Sequence, residues 1–199
     1  MKVIGITGGV GAGKSTVLDF FEKDLCAYVI QADKVGHVLM EPGQVCYEPV
    51  LALFGKDVRK KDKTIDRRRI SDIVFSRKDL LEKLNEIIHP AVKAYIREVI
   101  RQQEGQGTSL CVVEAALLLE DNYREICDEI WYVHTDKEIR IQRLIESRGY
   151  SREKALGIIN SQATDDFFRA NTDYTIENNG DLEYTHKQIR EGIKRYETL

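Results

Sequence analysis

The 199 residues, 42% of them apolar, can bury a sizeable core, and extra lobes on one domain are expected before a second independent one. Against 33 Asp and Glu stand 30 Lys and Arg, a net charge of -3, so no global basic field points to a nucleic-acid partner. The opening MKVIGIT is too short for a membrane span or a signal-peptide core, and the cysteines (26, 46, 111, 127) and histidines (37, 89, 134, 186) lack paired ligand spacing, so a cytoplasmic protein with no membrane partner and no zinc-type site is expected.

The first apolar run, Lys2 to Thr7, reads as a strand and leads into GGVGAGKST, in which Gly8 is followed after four residues by Gly13, Lys14 and Ser15. That is the full phosphate-loop spacing. Glycines at 8, 9, 11 and 13 let successive amide groups turn around an anion, and the helix that follows adds its own N-terminal N–H groups. Lys14 is expected to reach the β- and γ-phosphates of ATP, and Ser15 to ligate Mg²⁺. The nucleotide-binding set is then Gly8, Gly9, Val10, Gly11, Ala12, Gly13, Lys14, Ser15 and Thr16. A plain glycine-rich turn needs neither a Lys-Ser pair at fixed offset nor four glycines in six positions.

The second strand, Ala27 to Ile30, is followed at once by Asp33. A carboxylate at a strand's carboxyl end faces the crevice where open α/β sheets bind ligands, and there it could orient an acceptor hydroxyl and take its proton; the other reading is the N-cap of the helix KVGHVLM. The string DKVG from Asp33 also matches a short GTPase element. It begins too soon after Lys14 to leave room for a switch region, however, and the chain has no N-K-x-D string.

About eighty mostly helical residues follow, with IDRRRISDIVF, RKDLLEKLNEII and HPAVKAYIREVIRQQ carrying apolar residues at helical spacing. This exceeds a single crossover and reads as a helical lobe over the carboxyl ends of the strands. The third strand, Leu110 to Glu114, ends in an acid that either sits near Mg²⁺ through water or pairs with a nearby cation. Strands at Glu129 to His134 and Tyr174 to Glu177 bracket a helical interval, Asp136 to Asn171, which carries Arg140, Arg143, Arg148, Arg152 and Arg169 and reads as a lid. Arg140 and Arg143, on one helical face, are the pair expected to meet the transferring phosphoryl group. An amphipathic helix from Asp181 to Tyr196 closes the chain, so the whole is an α/β fold with helices on a five-stranded parallel sheet.

With GITGGVGAGKST, ADKVGH, IDR, IVF, IIHP, EAALLLE, WYV, SQAT and DYTIENNG in this order, the chain resembles the dephospho-CoA kinase family along nearly its whole length. The resemblance implies a P-loop kinase-like three-layer fold and transfer of the γ-phosphate of ATP to the ribose 3′-hydroxyl of dephospho-CoA. It further implies that Asp33 is the acceptor-side base, that residues 34–103 form the CoA-binding lobe, and that 136–171 form the lid over a core of 1–33, 104–135 and 172–199. Lys14, Arg140 and Arg143 complete the catalytic set, and Arg67, His89 and Glu114 join Asp33 on the acceptor side. His89 either contacts the acceptor or caps the helix opened by Pro90, and Asn178 and Asn179 either border the adenine or make a turn. The chain departs from the family pattern at Ala116, at Ser147 with Arg148 one residue later, and at Ile158. A related kinase for a nucleoside monophosphate or small metabolite, and a module that senses ATP without transferring it, are the competing readings. The assembly is expected to be a monomer or weak homo-oligomer.

Overall fold

The computed structural model describes residues 1–197. Five strands form one sheet in the order β2-β3-β1-β4-β5: β1 (Lys2–Thr7), β2 (Tyr28–Gln31), β3 (Leu110–Glu114), β4 (Glu129–His134) and β5 (Tyr174–Glu177). The registers of β1 with β3, β1 with β4, and β4 with β5 are parallel, as the continuous apolar runs predict for strands covered on both faces. β2 lies one residue later than its apolarity suggests, spanning Tyr28–Gln31 with only Ile30 of it buried. The order places the carboxyl end of β1 between those of β3 and β4, where the chain's connections diverge to opposite sides.

Two compact units divide the chain. The first, Met1–Ile30 with Gln106–Leu199, contains the sheet, and its core gathers Ile4, Ile6, Val17, Phe21, Val112, Trp131, Val133, Ile176 and Ile189. Helix α1 (Lys14–Lys23) contributes Val17, Leu18, Phe20 and Phe21, and the final helix α9 (Leu182–Glu197) contributes Ile189. Between β4 and β5 the helices α6 (Lys137–Arg148), α7 (Arg152–Asn160) and α8 (Asp165–Asn171) occupy the stretch expected to be helical. α6 and α7 have an apolar cluster of their own, built on Ile141, Leu144, Ala155 and Ile159.

The second unit, Gln31–Gly105, holds α2 (Ala32–Leu39), α3 (Tyr47–Phe54), α4 (Arg67–Ser76) and α5 (Lys78–Gly105). At Gly36, where α2 packs on α5, a Cβ would make ordinary contact, 3.5 Å from Ile88 and 3.7 Å from Val92. His89 and Pro90 do not open a helix. They lie inside the 28-residue α5, so the capping expected of His89 is absent. Proline removes one N–H and crowds the carbonyl four residues back, yet the helix runs on because Leu84, Val92 and Ile96 bury the same face on both sides of it. Among the described residues, no helix is long and apolar enough to cross a membrane.

Gly192 of α9 packs on the fully buried indole of Trp131, where an added Cβ would come within 2.4 Å of Cη2. We expect Gly192→Ala to cost about 1–3 kcal/mol of stability through overpacking. Urea unfolding measures it, and an unshifted midpoint would show that the indole has room to move.

Candidate active site

The loop between β1 and α1 is built so that its amides turn inward. Gly8 has φ 152° and passes so close to β4 that a Cβ would lie 2.6 Å from the Val133 carbonyl. Gly13, at φ 83° with left-handed geometry, is the N-cap of α1 and leads directly into Lys14 and Ser15. Among the described residues, the amides of Gly9, Gly11 and Gly13 have no protein acceptor. Inward N–H groups force carbonyls outward, and a carbonyl facing protein needs a donor. Each of three alternate carbonyls finds one in a side chain.

The Gly8 carbonyl accepts from Lys14 Nζ at 2.8 Å. That of Val10 accepts from Arg140 Nε at 2.9 Å. The carbonyl of Ala12, a residue only 1% exposed, accepts from Asn178 Nδ2 at 2.8 Å, from Thr135 Oγ1 at 3.0 Å and from Arg143 Nη1 at 3.4 Å. Arg143 also donates to the Asn178 carbonyl at 2.9 Å, and Asn178 Oδ1 accepts from Thr185 at 3.1 Å. The structure thus gives the Asn178 side chain other work than bordering an adenine, since its amide is 3% exposed and committed to the loop.

Arg140 and Arg143 are accordingly bound to the loop's backbone. Arg140 is 5% exposed, and burial pulls its guanidinium below the ordinary arginine value while Tyr132 and Asp165 push the other way. The other arginines between residues 136 and 171 are placed differently. Arg152 pairs with Glu138 at 2.8 Å, Arg169 with Glu177 at 2.7 Å, and Arg148 is exposed in the last turn of α6.

At the end of β3, Glu114 Oε1 lies 3.8 Å from Lys14 Nζ, so the acid has the cation partner that was one of its two readings. Ser15 is exposed in the first turn of α1. Among the described residues, no group of three or more His, Cys, Asp or Glu side chains could hold a metal by itself.

One network had no sequence signal. Tyr132 donates to Asp165 at 2.6 Å, His134 lies 3.4 Å from Asp165 and 2.5 Å from Glu177, and Glu177 accepts from Arg169. It fastens α8 to the ends of β4 and β5. Burial pushes the Glu177 carboxyl up, but the bonds from Arg169 and His134 outweigh it and hold the group below the usual glutamate value.

In the second unit, Asp33 is exposed in the first turn of α2, whose N-cap is Gln31; the capping role proposed for Asp33 is therefore not the one it has. His37 stands one turn further on the same helix, on the same face. Burial and the Arg67 charge hold its imidazole below the ordinary histidine value, with Asp33 acting in the opposite direction. Arg67 opens α4, where Asp66 caps the helix by accepting from the Arg69 amide at 3.2 Å. His37 thus lies within reach of both the Asp33 and the Arg67 charges, and the i, i+4 spacing of Asp33 and His37 was the available hint.

A phosphate loop pinned through its carbonyls is common to many families, and it is the whole-chain match that decides. The dephospho-CoA kinase family model covers residues 2–184. The chain belongs to the dephospho-CoA kinase family. The dephospho-CoA kinase of Carboxydothermus hydrogenoformans is 35% identical over 189 residues, covering 95% of this chain and 91% of the relative. A Thermus thermophilus crystal structure superposes with TM-score 0.84 at 26% identity, covering 98% of this chain and 97% of the other. The dephospho-CoA kinase from Campylobacter jejuni does so with TM-score 0.72 at 25% identity, covering 98% of each chain. As a dephospho-CoA kinase family member the chain carries the P-loop kinase-like fold, and its loop binds from behind to residues that lie more than 120 positions away.

Asn178→Ala removes a buried donor to the Ala12 carbonyl, while the Thr185 hydroxyl keeps the Asp181 carbonyl as its acceptor. It is expected to lower stability by about 1–3 kcal/mol, measured by thermal unfolding. A variant as stable as the parent would show that Thr135 and Arg143 suffice.

Proposed function

We propose that this chain transfers the γ-phosphate of ATP to the ribose 3′-hydroxyl of dephospho-CoA, giving coenzyme A and ADP. The observation that carries this reading is the loop from Gly8 to Ser15 with its Gly9, Gly11 and Gly13 amides left without a protein acceptor among the described residues, in a chain matched to the dephospho-CoA kinase family over residues 2–184. ATP's phosphates lie against the inward amides and the N-terminus of α1, with Lys14 turning from Gly8 and Glu114 to the β- and γ-oxygens. The acceptor occupies the lobe of residues 34–103, and residues 136–171 form the lid.

Asp33 accepts the hydrogen bond of the 3′-hydroxyl, aligns its oxygen with the γ-phosphorus and takes the proton as the O–P bond forms. The bond to the β,γ-bridging oxygen breaks, and ADP leaves with that electron pair. The Arg67 guanidinium, and the His37 imidazole held in its neutral form on the helix of Asp33, are the groups available to the acceptor's phosphates. Arg140 and Arg143 contribute positive charge beside the loop while bracing it.

Mg²⁺ is part of the proposal. The residues fit an ion that arrives with ATP, because the Ser15 hydroxyl is exposed at the helix N-terminus and makes no hydrogen bond within the described protein, while Glu114 is near enough to Lys14 to share the same phosphate environment. Bound there, the ion would neutralise charge on the β- and γ-oxygens. The substrates are water-soluble metabolites, so we place the reaction in the cytoplasm, carried out by a monomer or weak homo-oligomer.

A coupled ADP-release assay with dephospho-CoA, adenosine, AMP or no acceptor tests the reaction, with product position read by NMR. ADP release dependent on dephospho-CoA and phosphate on the 3′-oxygen are expected. Asp33→Asn is expected to lower kcat by about 10²–10⁴-fold, and Lys14→Ala to abolish turnover. Stimulation by AMP alone, or a folded Asp33→Asn enzyme of normal rate, would overturn the acceptor or the base respectively.

A further inference from the structure

Gln162 lies between α7 and α8, half-buried, and its Oε1 accepts two hydrogen bonds. One comes from the Val10 amide at 3.0 Å and the other from Arg140 Nη2 at 2.6 Å. Arg140 Nε returns to the Val10 carbonyl at 2.9 Å. Both polar groups of Val10 are thereby held by two side chains that are also bonded to each other, closing a ring. The Val10 side chain is held as well, for it packs on the α6–α7 cluster of Ile141, Leu144, Ala155 and Ile159. An added Cβ on the preceding Gly9 would lie 2.2 Å from Arg140 Nη2, so the guanidinium fills the space a side chain would take.

Val10 lies between Gly9 and Gly11, whose amides have no protein acceptor among the described residues. A rotation of its peptides would tilt the Gly11 amide out of the cradle. Nothing else polar in the described protein bonds to the Val10 backbone. Among the described residues, the Gln162 carboxamide oxygen is the only acceptor shared by the Val10 amide and the Arg140 guanidinium.

We infer that Gln162 is a positioning residue for the phosphoryl transfer proposed above: with Arg140 it clamps the Val10 peptide, and so fixes the direction of the loop's phosphate-binding amides. The clamp also makes Arg140 a positioning residue that acts through the loop, and it couples the α7–α8 connection to the nucleotide site. The inference rests on the loop holding ATP, and its test can be read without the acceptor.

The experiment compares Gln162→Met, which keeps the length but removes the strong acceptor, with Gln162→Glu, which keeps an acceptor and pairs with Arg140. KM for ATP and for dephospho-CoA, kcat, melting temperature and calorimetric ATP binding are measured for each. For Gln162→Met we expect ATP affinity and KM to worsen by about tenfold through two lost hydrogen bonds, with KM for dephospho-CoA within about twofold. Gln162→Glu should recover most of the loss. If Gln162→Glu binds ATP worse than Gln162→Met, Gln162 donates to a phosphate oxygen directly and the clamp is wrong. If both variants bind ATP like the parent and only melt earlier, the residue is merely structural. Should Gln162→Met fail to fold, Gln162→Asn, too short to reach both donors, takes its place. If the parent binds ATP but leaves dephospho-CoA unchanged, the acceptor assignment fails and calorimetry alone still decides the clamp.

Discussion

Three side chains from the later part of the chain, those of Thr135, Arg143 and Asn178, converge on the carbonyl oxygen of Ala12, and the remainder of the site follows from why that oxygen needs them. An anion cradle made of backbone has to turn its amides toward the ligand, so its carbonyls turn toward the protein. A buried carbonyl without a donor costs about 1–3 kcal/mol, and the cradle would relax if those oxygens were unanswered. The fold answers at Gly8, Val10 and Ala12 in turn, with Lys14, Arg140 and the Thr135–Arg143–Asn178 group.

The sheet order makes these contacts available. β4 is hydrogen-bonded to β1, and β5 to β4, so the residues just past the ends of β4 and β5 arrive behind the loop that follows β1. Thr135 follows β4 directly and Asn178 follows β5 directly. α6 then carries Arg140 and Arg143 on one face toward the same backbone, with Ile141 and Leu144 burying the helix against α7. Arg140 and Arg143 therefore belong to the support of the loop between β1 and α1.

Much of this was legible in the sequence. The strand boundaries at Lys2–Thr7, Leu110–Glu114, Glu129–His134 and Tyr174–Glu177 follow from continuous apolar runs, and the loop from a spacing that few other structures require. Local patterns mislead where a long-range contact decides. Pro90 looks like a helix start, but the face shared by Leu84, Val92 and Ile96 carries α5 through it. Arg140 looks like a cation awaiting phosphate because its acceptor, the Val10 carbonyl, is 130 residues away. Asn178 looks like a turn residue for the same reason, with Ala12 at a separation of 166. The Tyr132–Asp165–His134–Glu177–Arg169 network spans three elements, and it takes the pairing of β4 with β5 and the docking of α8 at their ends to bring it together.

The most direct measurement is a crystal structure with a non-hydrolysable ATP analogue and dephospho-CoA bound together. The account predicts phosphates seated on the amides of Gly11 to Thr16, the Ala12 carbonyl still accepting from Thr135, Arg143 and Asn178, and the ribose 3′-hydroxyl on Asp33 in line with the γ-phosphorus. A nucleotide bound away from the loop, or a loop rebuilt with those carbonyl contacts broken, would contradict it.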